Sequence, residues 1–116
     1  MTAGNEFRGM ADRFRVAPDK AAGMVRAATT KAVVDTQRLA REQAPVDTGY
    51  LRASIFTREG AQGATWWGEV GVGADYAYWV ENGTSTQRPQ PYMRPAHEQV
   101  KPVFVQMIEQ IGGKAL

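Results

Sequence analysis

Cysteine is absent from the sequence, and histidine occurs once, at His97. The chain therefore cannot form disulfide bonds or use a thiol nucleophile, and it lacks the thiolates and repeated imidazoles that build metal sites. No nucleophile-elbow sequence surrounds Ser54, so a Ser–His hydrolase site is not indicated. We predict no metal ion and no cofactor, and we place His97 on a helix surface or at a helix cap.

Long apolar runs and strong charge bias are also absent. No run approaches the ~20 apolar residues of a membrane span, and Glu6, Arg8 and Asp12 interrupt the stretch where a signal peptide needs apolar residues. We therefore expect a soluble, unexported protein. The net charge is only +2, whereas the footprint of a DNA-binding domain is a dense basic stripe. The charge pattern is instead typical of solvated helix surfaces.

The chain has 116 residues and an ordinary hydrophobic content, which together are sufficient for one folded domain. Residues 19–44 carry apolar side chains at helical spacing and predict a long helix that ends before Pro45. Residues 5–16 show the same spacing more weakly, which favours a short amphipathic helix. Because Pro18 interrupts the pattern, we predict an N-terminal arm or short helix at 1–18 and one α+β domain at 19–116.

The middle of the chain has the alternation typical of strands. Asp47-Thr48-Gly49 has turn chemistry, and the residues from Leu51 to Ile55 then alternate in polarity, which predicts a strand. A loop follows at Gly60–Gly63, and the alternation over 66–72 predicts a second strand. A short connection containing glycine between two such segments is typical of an antiparallel hairpin.

The last third of the chain predicts two helices separated by a polar loop. Residues 75–82 predict a short helix, with Asp75 as its N-cap and Gly83 as its end, although a strand is the alternative. The loop at 84–91 should be extended and partly polyproline-like, with a third strand possible near Pro91. A final helix then runs to Gly112-Gly113, and Pro102 should kink it or mark its true start. The predicted fold is α+β, with a long N-terminal helix and a C-terminal helix packed on a small antiparallel sheet.

One tripeptide suggests an enzyme. Asp47-Thr48-Gly49 matches the active-site sequence of aspartic proteases, whose retroviral forms are dimers of similarly sized chains in which two aspartates share a proton. That site lies on an apolar strand, whereas Asp47 follows a long helical pattern, and Tyr50 stands where a small residue normally follows the glycine. A turn in which Asp47 bonds the backbone is the better interpretation of these residues.

Aromatic residues are the candidates for contacts with other molecules. Trp66 and Trp67 should point to opposite faces of a strand, one towards the core and one towards the surface. A second aromatic group, Tyr76, Tyr78, Trp79 and Tyr92, could stack on single-stranded nucleic acid. The nearby Arg88 and Arg94 are opposed by Asp75 and Glu81, so a place in the core or in a protein interface is favoured for these rings. Tyr, Trp and Arg are enriched in binding hot spots. The candidate interface residues are Trp66, Trp67, Tyr78, Trp79, Arg88 and Tyr92.

Three ordered motifs carry a resemblance to a known family. They are the stretch Ala44-Pro45-Val46-Asp47-Thr48-Gly49-Tyr50-Leu51-Arg52-Ala53-Ser54-Ile55, then Tyr76-Ala77 with Val80-Glu81-Asn82-Gly83-Thr84, then Pro91-Tyr92-Met93-Arg94-Pro95-Ala96. Together they resemble the short tail-component proteins of long-tailed double-stranded-DNA bacteriophages and prophages. The resemblance covers residues 44–96 and the helices on either side of them, but it does not include residues 1–18.

The resemblance implies a non-enzymatic virion protein that completes the tail and joins head to tail in the neck, as part of a ring around the DNA channel. A tail terminator that caps the tail tube is the alternative. Its implied partners are head-closure, terminator or tail-tube proteins and other copies of itself. Its implied location is the virion, or the host cytoplasm during assembly. Arg52 and Arg58 are candidates for non-specific DNA contact in the ring. The motif residues are expected to be architectural: Pro45, Asp47, Thr48, Gly49, Leu51, Ser54, Tyr76, Val80, Glu81, Gly83, Thr84, Pro91 and Pro95.

Overall fold

The structure, a computed structural model, describes residues 12–16, 22–46, 49–63 and 65–115. Its elements are β1 Asp12–Val16, α1 Ala22–Gln43, α2 Tyr50–Ala53, β2 Ile55–Gln62, β3 Thr65–Val72, α3 Ala77–Asn82 and α4 Met93–Ala115. The predicted α+β class, with a long helix on each side of an antiparallel sheet in the sequence, is confirmed. Within the described ranges, no helix is both long enough and apolar enough to cross a membrane.

Helix α1 packs through a face of small side chains. Ala28, Ala32 and Ala40 are buried on this face, so neighbouring elements can approach the helix closely. Its two buried threonines, Thr29 and Thr36, each donate a hydrogen bond to the carbonyl four residues earlier, at 2.9 and 2.8 Å. A buried hydroxyl that finds a partner within its own helix avoids the cost of an unsatisfied polar group.

The sheet has three antiparallel strands in the order β1-β3-β2. Its third strand lies at residues 12–16, not near Pro91 as predicted. The short helix predicted over 5–16 is therefore wrong for 12–16, and residues 5–11 lie outside the described ranges. The sequence Arg-Phe-Arg-Val within this strand alternates charged and apolar residues, as strands do. Pairing with β3 satisfies the hydrogen bonds of its backbone, whereas a short isolated helix would be only marginally stable. The division of the chain near residue 18 stays a prediction.

The segment after the turn forms one turn of helix before the strand begins. Gly49 has φ 73°, and its carbonyl accepts the backbone N–H of Ala53 at 3.0 Å. The strand predicted from Leu51 therefore starts only at Ile55. It then continues through Gln62, which pairs with Thr65. Residues 60–62 of the predicted loop therefore belong to strand β2, and only Gly63 of that loop lies in the turn.

Helix α4 is longer than the sequence indicated. It begins at Met93, passes through Pro102 and continues beyond Gly112 to Ala115. Pro102 is exposed, so the Glu98 carbonyl that loses its helical donor can bond to water. Asp75 does not cap α3, because the N-cap position is Tyr76 and no side chain bonds there. Helix α3 itself and its end at Gly83 are confirmed.

The core lies between the helices and one face of the sheet. Helices α1 and α4 pack together, and α1 also lies on β2 and β3. Helix α1 approaches the sheet closely at Gly68 in β3, where an added Cβ would lie 2.7 Å from Val33 Cγ1 and 2.8 Å from Thr29 Cγ2. Gly68 is therefore what lets helix α1 sit directly on the sheet.

We expect Gly68→Val to lower the free energy of unfolding by about 1–3 kcal/mol, because the new side chain overpacks against α1. Urea denaturation followed by circular dichroism measures the change. Gly23→Ala in α1 is the control, because nothing lies within 4 Å of the place that its added methyl group would take, and it should leave stability unchanged or slightly higher. Equal stability of the Gly68→Val variant and the parent would contradict this packing.

Candidate interaction surface

A buried carboxylate joins α3 to α4. Glu81 is 1% exposed, and its two carboxylate oxygens accept the backbone N–H groups of Tyr92, Met93 and Arg94 at 3.2, 2.9 and 3.1 Å. These are donors at the helix start that have no partner within the helix. The next residue, Pro95, has no N–H. A negative charge here also complements the dipole of α4.

The loop after α3 is folded back on the helix. Gly83 has φ 80°, and an added Cβ would lie 2.8 Å from Pro89 N. Thr84 Oγ1 accepts the Gln87 N–H at 3.0 Å, and Gln90 N–H bonds to the Val80 carbonyl at 2.8 Å. The loop predicted to be extended therefore begins with a hydrogen-bonded turn. Pro91 is exposed at its end.

Ser54 links the first motif to the chain that leads into α3. Its hydroxyl donates to the Leu51 carbonyl at 2.7 Å and accepts the Ala74 N–H at 3.2 Å. The Ser54 carbonyl accepts the Gly73 N–H at 3.0 Å. Leu51 is buried in the core. The end of β3 is thereby held against the turn that starts β2, which brings the first and second motifs together.

These connections build an exposed groove, which we call the aromatic groove. It has a volume of about 340 Å³ and is lined by Pro45, Leu51, Tyr76, Trp79, Val80 and Arg88, together with two glutamines. The side chains of Tyr76 and Trp79 are 40% and 48% exposed. Tyr50 is 58% exposed, and its ring centroid lies 6.2 Å from that of Tyr76. Val46, next to Pro45, is exposed as well.

The groove combines residues predicted from the sequence with residues that the sequence analysis missed. Trp79 and Arg88 were candidate interface residues, and both lie here. Tyr50 and Val46 were quoted within a motif but not singled out as interface residues. The neighbouring sequence does not mark these two residues as exposed, because an apolar residue in a turn has the same sequence surroundings whether it is exposed or buried.

The other candidate interface residues have different environments. Tyr92 is fully buried, and its hydroxyl donates to the Ala77 carbonyl at 3.3 Å, so it belongs to the core and is not available to a partner. Burial, reinforced by the Glu81 carboxylate, raises the pKa of the Tyr92 hydroxyl well above its usual range. Tyr78 is half-buried against the core, with its ring edge-on to Trp79 at 4.9 Å.

Trp66 and Trp67 are both half-buried, so the predicted division into one core and one surface residue does not hold. The Arg26 guanidinium lies 4.1 Å from the centre of the Trp66 ring. Trp67 lies over Gly60 of the paired strand, where an added Cβ would be 3.0 Å from the ring. The glycine opposite Trp67 leaves space for its ring to lie on the sheet.

The two candidate DNA-contacting arginines also differ. Arg52 is partly buried and donates to the Ala44 carbonyl at 3.4 Å, whereas the side chain of Arg58 is 58% exposed and pairs with Glu69. Among the described residues, no group of acidic or histidine side chains could hold a metal ion. Burial, with Lys101 nearby, lowers the pKa of His97. Asp47 and Thr48 lie outside the described residues, but the elements that flank them are helices α1 and α2.

Glu81→Gln should lower the free energy of unfolding by about 1–3 kcal/mol. The amide keeps one acceptor oxygen but presents an NH₂ group to a backbone N–H that now lacks an acceptor. Chemical denaturation measures the loss, and Glu109→Gln on the exposed surface of α4 is the matched control. Equal stability of the two variants would show that the carboxylate does not hold α4.

Tyr92→Phe should lower stability at neutral pH by about 0.5–1.5 kcal/mol, because the hydrogen bond to Ala77 is lost. The pKa of Tyr92 is raised on folding, so the stabilisation is complete below the unfolded-state pKa of about 10 and is lost as the pH rises above it. Stability of the parent should therefore fall more steeply than that of Tyr92→Phe between about pH 9 and 11 in urea titrations. A slope for Tyr92→Phe equal to that of the parent would contradict the burial of the Tyr92 hydroxyl.

Comparison with known proteins supplies the context for this groove. Residues 8–83 match a family model named HK97-gp10-like and described as "Bacteriophage HK97-gp10, putative tail-component". The match includes β1, the first motif and all of the second motif except Thr84, but it ends before Pro91. Searches of curated proteins and of solved structures gave no match. Because the matched range covers well over half of the 116 residues, the chain belongs to the HK97-gp10-like family of bacteriophage tail components.

Proposed function

We propose that this protein is a structural, non-enzymatic part of the phage neck, which completes the tail and joins it to the head within a ring around the DNA channel. The observation that carries the proposal is the aromatic groove. A chain from a tail-component family exposes Tyr50, Tyr76 and Trp79 together. Large exposed apolar groups in one place are typical of protein–protein interfaces.

The chemistry of the groove fits a protein partner. Trp, Tyr and Arg are the residues that most often dominate binding energy at interfaces, and the groove has all three. Arg88 at its edge can pair with a carboxylate or a backbone carbonyl of the partner. Head-closure, tail-terminator or tail-tube proteins and further copies of this chain are the partners expected in the virion, with host cytoplasm as the place of assembly.

Two alternatives make different predictions. A tail terminator would use the same groove but would cap the tail tube, so its loss would change tail length. A dimeric aspartic protease would depend on Asp47, which should then be indispensable. Arg58 is a better candidate than Arg52 for non-specific DNA contact in the ring, since its side chain is the more exposed. Such contact should weaken steeply as salt concentration rises.

Electron microscopy of a lysate from a phage with a stop codon in this gene is the first test. We expect filled heads and separate tails of normal length, because joining fails after both parts are built. Over-long or ragged tails would identify a terminator. Intact particles in normal numbers would contradict both assembly roles.

Complementation of that phage tests the groove itself. Trp79→Glu should reduce the yield of joined particles at least tenfold, because it places a charge where a partner surface is buried. Val34→Glu is the matched control, since Val34 is also 48% exposed but lies on α1 outside the groove. Asp47→Asn should complement fully, and its failure together with pepstatin-sensitive proteolysis would favour the protease.

A further inference from the structure

Arg88 in the aromatic groove is exposed, and its guanidinium has no hydrogen bond, ion pair or ring contact within the described residues. Every other arginine whose side chain the structure describes has such a contact. Carboxylates pair with Arg38 and Arg58, backbone carbonyls accept from Arg41 and Arg52, a tryptophan ring lies under Arg26, and an asparagine accepts from Arg94. Contacts inside the described fold therefore give Arg88 no role.

The backbone that carries Arg88 is nevertheless fixed on both sides. Before it, the Gln87 N–H bonds to Thr84 Oγ1 at 3.0 Å, and after it the Gln90 N–H bonds to the Val80 carbonyl at 2.8 Å. A side chain on a fixed backbone loses less conformational freedom on binding than one on a free segment. The turn thus holds an unpaired cation ready at the groove.

The groove has no negative charge that balances this cation. None of the described residues that line it is acidic. Residues 83–97 contain two arginines but no aspartate or glutamate. Glu81 is turned inwards and bonds to the start of α4, and Asp75 forms no ion pair in the part of the chain that the structure describes. The electrostatic complement of the groove is therefore an anion.

The rest of the lining fits an extended peptide. Gln87 and Gln90 line the groove, and their side-chain amides make no hydrogen bond to any described residue. An amide offers both donors and an acceptor, which suit the backbone groups of an extended segment. Tyr76 and Trp79 offer ring surface to its apolar atoms. At about 340 Å³ the groove admits a few side chains, whereas a helix is ~10–12 Å across.

We propose that the aromatic groove binds an extended acidic segment of another virion protein, with a carboxylate of that segment on the Arg88 guanidinium. A guanidinium and a carboxylate can form two parallel charge-assisted hydrogen bonds. The inference rests on the proposed function, because it names the chemistry of the partner that the groove meets there.

Two other occupants fit the groove less well. DNA binding depends on many phosphate contacts, and Arg88 is the groove's one unpaired cation among the described residues. In a second copy of this chain, the exposed carboxylates of α4, Glu98 and Glu109, lie on a helix that is too wide for the groove. A different protein is therefore the better source of the segment.

Short overlapping peptides that cover this chain and the other head and tail proteins of the phage are the probe, tested for binding to the purified full chain. We expect a peptide from another protein to bind. Its affinity should fall at least tenfold when its acidic residue is replaced by the corresponding amide, and equally when the chain carries Arg88→Gln, because either change removes the charge-assisted pair.

Lys101→Gln is the matched control for Arg88→Gln. Lys101 is also an exposed cation without an ion pair among the described residues, but it lies on α4 outside the groove. This variant should bind the peptide as the parent does. Both variants should melt at the parent's temperature, so that a loss of binding reports the groove and not unfolding.

The same pair of positions is tested in the phage. Arg88→Glu should reduce the yield of joined particles at least tenfold in complementation, whereas Lys101→Glu should complement fully. Phages selected for growth with the Arg88→Glu protein should carry a replacement of an acidic by a basic residue in another structural gene, because the reversed pair restores the attraction.

The proposal would be overturned if no peptide bound, if Arg88→Gln left binding unchanged, or if only peptides of this chain bound. Arg88-dependent binding of duplex DNA in place of peptides would overturn it as well. Failure of the proposed function gives a different result, since the stop-codon phage would then form intact particles whatever the peptides show. Separate heads and tails from that phage, with no peptide bound, would mean that the inference alone is wrong.

Discussion

The arrangement of the C-terminal third depends on one buried carboxylate. Taking a charge out of water is costly, and it is tolerated only where hydrogen bonds replace the lost hydration. Glu81 meets this condition by accepting three backbone N–H groups at the start of α4. The same bonds fix where α4 begins, place Tyr92 in the core and anchor α3 by its inner side.

The exposed surface follows from that anchor. In α3, Ala77 and Glu81 are four residues apart and face inwards, which leaves Trp79 on the outer side. Gly83 and Thr84 then turn the chain back so that Arg88 lies beside Trp79. Ser54 holds the first motif against the chain before α3. Ser54, Glu81 and Gly83 thus hold the surrounding backbone in place, and the exposed rings of Tyr76 and Trp79 lie between them in the sequence.

Several predictions from the sequence were wrong for a shared physical reason. The segment from Leu51 to Ile55 has strand alternation, but backbone bonds from Gly49 and a cap from Ser54 make its first half helical. Residues 12–16 have weak helical spacing, yet pairing with β3 makes them a strand. In both cases the local preference is small, and partners distant in the sequence or a single strong cap outweigh it.

The sequence by itself determined the α+β class, the long helix before Pro45, the second strand of the hairpin, the end of α3 at Gly83 and the family. Strong periodicity, proline and glycine act locally, so these features do not need the rest of the fold. Tertiary structure alone decided which aromatic residues are exposed, why Glu81 is buried and where the aromatic groove lies. Each of these features depends on contacts between residues far apart in the chain. The local sequence pattern does not determine which side chains those contacts bury and which they leave exposed.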